Sequence, residues 1–169
     1  MLETNAFVVY GANGICRVDG IREEAFNGKK QEYFVLKPIN SEGATIYVPT
    51  DSEVLTGKMK KLLRADEVEI LIRNMPNEET IWIDDDRLRN EAYRAILSKG
   101  DRTELVRLTK TLYRRKKELS AKGKRLRSTD EQIMRQAESL LFNELAMVLE
   151  IERNDVLNFI YKKIGGESE

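Results

Sequence analysis

The 169-residue sequence contains no histidine and only one cysteine, Cys16. Histidine is the usual general base at neutral pH and the commonest metal ligand, so its absence excludes the nucleophile pairs that depend on it. Catalysis by carboxylates or lysine alone stays open. The composition nevertheless favours a protein that is not an enzyme, with no cofactor, no metal and no small-molecule substrate. A single cysteine cannot form an internal disulfide, which suits a reducing cytoplasm.

Long apolar runs are also missing from the sequence. No window approaches the roughly 18 apolar residues that a membrane-spanning helix needs. The opening residues, MLETNAFVVYG, contain no basic stretch followed by an apolar stretch and a small-residue cleavage site. We therefore expect neither a secretory signal nor a membrane partner, and we expect a cytoplasmic location.

Charge is balanced over the whole chain but is unevenly distributed. The sequence has 29 Lys+Arg and 29 Asp+Glu residues, so the formal net charge is +0. Residues 102–128, however, contain 11 basic residues against 2 acidic ones, Glu104 and Glu118. A basic segment in an otherwise neutral to acidic chain indicates a polyanionic partner.

The first 55 residues have the pattern of short strands. Apolar residues cluster or alternate at 7–10, 15–18, 32–36 and 45–48, and Asn27-Gly28 is typical of a hairpin turn. From residue 56 onwards, apolar residues recur at helical spacing instead, with a break at Met75-Pro76-Asn77. The sequence predicts an α+β protein, with a small twisted sheet or open SH3-like barrel at 1–55 and an all-α helical domain at 56–169.

Details of the predicted helices follow from the same patterns. In the helix that begins near Ile83, the apolar residues Leu88, Ala92, Ala95 and Ile96 are expected to face inward. The segment Ser128-Thr129-Asp130-Glu131 is typical of a capping box at a helix start. A last short helix is expected to be capped by Asn154-Asp155 and closed by Gly165-Gly166.

The basic segment predicts contact with nucleic-acid phosphates, because few acidic residues in it balance the charge. A merely solvated face is the alternative interpretation. The segment has no Asn or Gln pattern suited to reading base edges, which favours backbone contact and shape readout. The candidate DNA-binding residues are Arg114, Arg115, Lys117, Lys124, Arg125 and Arg127.

Trp82 is the only tryptophan, and it follows the segment that contains Pro76. One interpretation is a hydrophobic anchor that fixes this segment to the helical domain. The other is an apolar wedge at the DNA minor groove, where inserted side chains unstack a base step. The sequence leaves both interpretations open.

Segments in both parts of the chain resemble the CarD/CdnL family of bacterial transcription regulators. In the N-terminal part they read FVVYGANGI from Phe7, EYFVLK from Glu32, YVP from Tyr47 and LR from Leu63. In the C-terminal part they are Tyr93, LSKGD from Leu97, LYRR from Leu112 and NELA from Asn143. Transcription-repair coupling factors share the N-terminal module, but that module would not account for the helical half.

The resemblance implies a Tudor-like β domain that docks on the RNA polymerase β subunit by pairing strand edges. It also implies a helical domain that touches promoter DNA at the upstream edge of the bubble, through phosphates and the minor groove, and stabilises the open complex. On this basis the candidate polymerase-binding residues are Glu24, Tyr33, Ile46, Tyr47 and Val48.

Three positions depart from the family pattern. Glu24 and Tyr47 stand where relatives have arginines that assist polymerase docking. The family's wedge tryptophan would fall near Asp86, about one helical turn after Trp82. Two other functions remain alternatives to a polymerase-bound promoter factor. They are a protein-only adapter, whose basic face meets an acidic protein, and an RNA- or ribosome-binding module.

Overall fold

The structure, a computed structural model, describes residues 3–165. Contacts divide the chain after Leu62 into a β unit and a helical unit. The sequence set this boundary at residue 55. The difference comes from a three-residue strand, Met59–Lys61, which pairs with the first strand and keeps residues 56–62 with the sheet. Its Met-Lys-Lys sequence has too few residues for a recognisable alternation.

The β unit is a five-stranded antiparallel sheet with the strand order β4-β3-β2-β1-β5. A short 3-10 turn at Gly11–Asn13 joins the first two strands, and one four-residue helix, α1 (Glu53–Thr56), precedes β5. The strands are β1 (Phe7–Tyr10), β2 (Ile15–Phe26), β3 (Lys29–Pro38), β4 (Ile46–Pro49) and β5 (Met59–Lys61).

The two long strands, β2 and β3, form a hairpin that pairs without a register shift from Gly20↔Val35 to Phe26↔Lys29. Its two turn residues, Asn27 and Gly28, have φ angles of 53° and 77°. Positive φ at both central positions is the geometry of a type I′ turn, which matches the twist of the flanking strands and favours Asn-Gly. The Asn27-Gly28 turn predicted from the sequence is therefore confirmed.

One face of the sheet carries the core of the β unit. Val8, Cys16, Val18, Leu36 and Val48 are buried there. Burial also raises the pKa of the Cys16 thiol to about 11, so the thiol stays protonated at neutral pH. A protonated, inaccessible thiol is a poor nucleophile, and we assign Cys16 to packing.

The helical unit contains five α-helices and two short 3-10 turns within the described residues. The first turn, Met75–Asn77, follows α2, and the second, Arg153–Asp155, precedes α6. The helices are α2 (Ala65–Asn74), α3 (Asp86–Lys99), α4 (Arg102–Ala121), α5 (Ser128–Leu149) and α6 (Val156–Ile164). A β sheet followed by a helical unit confirms the predicted α+β class.

Aspartates begin two of these helices. The Asp85 carboxylate accepts a hydrogen bond from the Leu88 N–H at 2.9 Å, and the Asp101 carboxylate accepts one from the Glu104 N–H at 3.1 Å. Between the two helices, Gly100 has a φ of 71°, a left-handed conformation that glycine adopts without steric cost. The break between α3 and α4 follows from Gly100 and Asp101.

Two apolar clusters fill the helical unit. The first lies among α3, α4 and the first half of α5, around Tyr93, Leu108, Leu112 and Ile133. The second lies among α2, α5 and α6, around Val68, Leu145 and other buried residues. Burying both clusters against the long helix α5 is what joins the early and late helices into one unit.

Three expectations about the helices are wrong. The buried side of α3 carries Arg89, Tyr93 and Leu97, whereas Leu88 is 56% exposed. Ala95 is exposed as well. The other two residues of the expected set, Ala92 and Ile96, are partly buried and pack on the first apolar cluster, as expected. The pattern failed at Leu88 and Ala95, because an arginine occupies a buried position of the helix where sequence periodicity predicts an apolar residue.

The capping box is also absent, because α5 begins at Ser128 itself and its N-cap, Arg127, makes no side-chain cap bond. Likewise, the Asp155 side chain makes no cap bond at the start of α6, which a 3-10 turn precedes. The described part of α6 ends at Gly165 in a left-handed conformation, and Gly166 lies outside the described residues.

Candidate functional site

The basic segment occupies the second half of α4 and the loop that leads to α5. The first half of α4 buries Leu105, Leu108 and Leu112, which fixes the helix against the core and leaves its other sides to solvent. Arg115 is half-buried, and the other predicted contact residues are exposed, namely Arg114, Lys117, Lys124, Arg125 and Arg127. The described structure thus presents most of the predicted DNA-binding side chains to solvent.

Several basic residues of the segment form ion pairs or hydrogen bonds with residues that lie outside the segment. Arg107 pairs with Glu78 at 3.1 Å, and Lys116 pairs with Glu131 at 3.3 Å. The Lys110 ammonium donates to the backbone carbonyls of Met75, Pro76 and Glu78 at 2.7–3.0 Å. The expectation that acidic partners are few is wrong, because these partners lie far away in sequence.

Three of the predicted cations have no such partner. Within residues 3–165, Arg114, Lys124 and Arg125 form no ion pair, although all three are exposed. An exposed cation whose charge no carboxylate balances attracts a polyanion more strongly than one in an ion pair. These three residues therefore carry positive charge that no carboxylate of the described residues balances.

Trp82 is half-buried, and it packs partly on the first apolar cluster. The guanidinium of Arg89 lies 4.3 Å from the centre of the indole ring, and that of Arg115 lies 4.7 Å from it. The indole N–H donates to the Asp84 carboxylate at 3.0 Å. Arginines this close to an indole interact with its π face and restrict its orientation. The structure brings Trp82 and Arg115, two predicted site residues, into contact.

A buried arginine that the sequence analysis missed holds this arrangement together. Arg89, which is 2% exposed, donates two hydrogen bonds to the Asp130 carboxylate, at 2.8 and 2.9 Å. It also donates to the Ile83 carbonyl at 2.9 Å. Donating to the Asp130 carboxylate raises the pKa of Arg89, and the guanidinium stays charged. Asp130 therefore binds Arg89 across the unit, instead of capping its own helix.

The segment that carries Trp82 has two further attachments. The Tyr93 hydroxyl donates to the Ile81 carbonyl at 2.8 Å, and the Ile81 N–H donates to the Thr111 hydroxyl at 2.9 Å. Burial raises the pKa of Tyr93 to about 12, so this hydroxyl remains a donor at neutral pH. An extended segment with no helical hydrogen bonds is thus fixed on both sides of its backbone.

Four of the six predicted basic residues fall into two groups. Arg115 contacts Trp82, and Arg127 pairs at 2.9 Å with Asp86, which also binds Arg89. Arg114 and Lys117 instead line a cleft between α4 and α6. Neighbouring helical residues point about 100° apart, so Arg114 and Arg115 belong to different sides of α4. The segment is continuous in sequence but is not one continuous surface.

In the β unit, Glu24, Tyr33 and Tyr47 lie on the same face of the sheet, opposite the core face, as the strand register shows. The rings of Tyr33 and Tyr47 each stand edge-to-face with Phe26, at centroid distances of 5.2 Å. Phe26, which is 44% exposed, was not predicted as a site residue. Its position just before the Asn-Gly turn, at even spacing from Glu24, was the signal available.

The β4 strand forms one edge of the sheet, beyond which no strand pairs in the described residues. The Thr50 N–H donates to the Glu32 carbonyl of β3. Ile46, four residues before Thr50, pairs with Leu36 of the same strand. Because alternate residues of an antiparallel strand bond inward, the Ile46 N–H faces β3 and the Tyr47 N–H faces the open edge. Val48 is fully buried in the core.

Neither a metal site nor a membrane span is found in the described part of the chain. No three potential metal-binding side chains come together between residues 3 and 165. Over the same residues, no helix combines the length and the apolar character needed to cross a membrane.

Two protein-family models match most of the chain. Residues 2–62 match the CarD-like/TRCF RID domain, and residues 68–161 match the CarD C-terminal domain. No curated protein matches the sequence. The two matched segments correspond to the β unit and the helical unit, in the same order along the chain. The chain belongs to the CarD-like family of RNA polymerase-interacting transcription factors.

Proposed function

We propose that the β unit binds the RNA polymerase β subunit and that the helical unit contacts promoter DNA at the upstream edge of the bubble. The DNA contact is made mainly with phosphates and the minor groove, without base readout, and it changes the stability of the open complex. The protein acts in the cytoplasm, without a cofactor and without a catalytic step. The observation that carries this proposal is the match of both units to the two CarD domains.

The open β4 edge supports polymerase docking by strand addition. The Tyr47 N–H and carbonyl face outward there, and Pro49 has no N–H to donate. Beside this edge, the aromatic rings of Phe26, Tyr33 and Tyr47 form an exposed apolar group. Backbone groups give affinity in such an interface, and neighbouring side chains give specificity.

Replacing Tyr47 by proline is expected to weaken polymerase binding at least about tenfold, because it removes one outward backbone donor and one aromatic ring. Proline at an outward position of an edge strand leaves the sheet intact. Binding to purified core RNA polymerase, measured by surface plasmon resonance with the full chain, tests this expectation.

Tyr47→Val is the matched control, because it removes the ring and keeps the N–H. If Tyr47→Val binds as weakly as Tyr47→Pro, the ring accounts for the loss and the backbone donor does not. If both variants fold and bind polymerase with native affinity, β4 is not the docking edge.

The unpaired cations support the DNA contact. Arg114, Lys124 and Arg125 carry charge that no carboxylate in the described residues balances, and Arg115 stands beside Trp82. Phosphate contact needs exposed positive charge and no particular base geometry. We therefore keep Arg114, Arg115, Lys117, Lys124, Arg125, Arg127 and Trp82 as the proposed contact residues.

The double variant Lys124→Gln/Arg125→Gln is expected to weaken binding to all duplex sequences alike. Each lost phosphate contact lowers the steepness of the log–log salt dependence by about 0.9, so the double variant changes the slope by about 1.8. Fluorescence anisotropy over a range of salt concentrations measures the slope. Arg94→Gln/Lys99→Gln on α3 makes the same change in net charge away from the basic segment, and it should leave the slope unchanged.

The same titrations separate the alternative functions. A protein-only adapter shows no salt-dependent binding to duplex DNA. An RNA-binding module prefers a duplex RNA of the same sequence over forked promoter DNA. If the salt dependence of DNA binding has the same slope for both double variants, Lys124 and Arg125 do not contact DNA.

A further inference from the structure

The helical unit contains an apolar cleft lined by residues of α4, α5 and α6. Its volume is about 740 Å³. Val106, Leu141, Phe142, Leu157, Ile160 and Ile164 supply its apolar walls. Pockets that hold small molecules have volumes of roughly 300–1,000 Å³ and are lined mainly by apolar side chains. The cleft has the size and the lining of such a site.

The charged residues that line the cleft are all basic. Lys110, Arg114, Lys116 and Lys117 line it, and none of the described lining residues is acidic. Two of these cations are engaged, since Lys110 donates to three carbonyls and Lys116 pairs with Glu131. Arg114 forms no ion pair within residues 3–165 and is exposed. Its guanidinium is the group available to an anion.

The positive charge of Arg114 affects the neighbouring Lys110 ammonium. Its pKa is lowered, first by burial and then by the positive charge of Arg114. An anion bound at Arg114 would relieve that repulsion. The cleft therefore favours negative charge at one end and apolar material along its walls.

Thr109 adds a polar group to the cleft. On the same helix, the Thr111 hydroxyl donates to the Arg107 carbonyl four residues back, at 2.6 Å. The Thr109 hydroxyl is buried and has no such partner in residues 3–165. A buried hydroxyl without a partner is uncommon in folded proteins, because it loses its hydrogen bonds to water.

We propose that this cleft binds a small amphipathic anion, with an apolar ring or chain between the helices and one anionic head group at Arg114. Three helices line the cleft, and its volume of about 740 Å³ lies in the range of small-molecule pockets, which favours a small molecule over a peptide helix. This ligand is bound and not transformed. Arg114 is also one of the proposed DNA-contact residues, but the inference does not rest on DNA or polymerase binding, and its test contains neither.

The test is a fluorescence titration of the full chain with 1-anilinonaphthalene-8-sulfonate, an aryl sulfonate whose emission rises in apolar sites. Arg114→Gln, which removes the exposed cation, is expected to weaken binding about tenfold. Leu157→Trp, which adds bulk at a half-buried wall position, is expected to weaken it by a similar factor. Arg125→Gln changes the same charge outside the cleft and should bind as the wild type does.

Competition with decanoate, an alkyl carboxylate, then identifies the apolar body. Displacement of the sulfonate by decanoate, with the same dependence on Arg114, extends the site to alkyl chains. A failure of decanoate to displace it restricts the site to aryl anions. The proposal is overturned if neither compound binds, or if Arg114→Gln binds the sulfonate as the wild type and Arg125→Gln do.

Discussion

Replacing Arg89 by alanine is expected to lower the free energy of unfolding by about 3–5 kcal/mol, the range for a buried ion pair that loses one partner. Asp130 is 3% exposed, and it would keep its charge with no cation to balance it. The Ile83 carbonyl would also lose the donor that holds the Trp82 segment. Urea denaturation followed by circular dichroism at neutral pH measures the loss.

The neighbouring arginine on α3 provides the matched control for this prediction. Arg87 also pairs with a carboxylate, Glu91, at 3.3 Å, but its side chain is 87% exposed. Arg87→Ala should therefore cost no more than about 0.5 kcal/mol. In the double variant Arg89→Met/Asp130→Leu no charge is left unpaired, and most of the lost stability should return. A loss below about 1 kcal/mol for Arg89→Ala would contradict the assigned role.

Replacing Trp82 by alanine is expected to shorten the lifetime of the open promoter complex and to leave the affinity for intact duplex within about twofold. Phosphate attraction dominates duplex affinity, and one indole adds little to it. Wedging into the minor groove costs a few kcal/mol of unstacking, which is recovered only where DNA is already bent or melted. A filter-binding assay of heparin-challenged open complexes measures the lifetime.

The packing of Trp82 requires a control for stability. The half-buried ring contacts the first apolar cluster and two arginines, so its removal should also cost about 2 kcal/mol of unfolding free energy. Val156→Ala, in the second cluster, is destabilised without touching this surface. If the change in lifetime disappears after correction for the folded fraction, or if Val156→Ala reproduces it, Trp82 is a core anchor only.

Most of the fold could be predicted because its sequence patterns are local. The strands of the hairpin alternate, the Asn27-Gly28 turn is specific, and Gly100-Asp101 separates two helices. The edge position of β4 follows from Pro49, which cannot continue a central strand. By contrast, β5 is three residues long and is defined only by its partner β1, which no local pattern reveals.

The candidate site was less predictable, because its charges are paired across the fold. The basic segment is evident from composition, but Glu78, Asp86 and Glu131 reach it from other elements. Arg89 interrupts an apolar stripe, and periodicity alone cannot show that Asp130 compensates it from 41 residues away. Pairing between distant residues is a property of the tertiary structure, so a sequence pattern can indicate the excess of charge but not its location.

The two-residue type I′ turn of the β2–β3 hairpin limits which insertions the hairpin can accept. Glu24, Phe26 and Tyr33 share a face of the sheet because two turn residues separate the strands. A shift of the strand register by one residue would move the side chains of one strand to the opposite face. Insertions are thus tolerated in pairs, one residue on each strand. Such a pair lengthens the tip and leaves Glu24 and Tyr33 on their shared face. A single inserted residue would require a second bulge like the one between Val18 and Gly20.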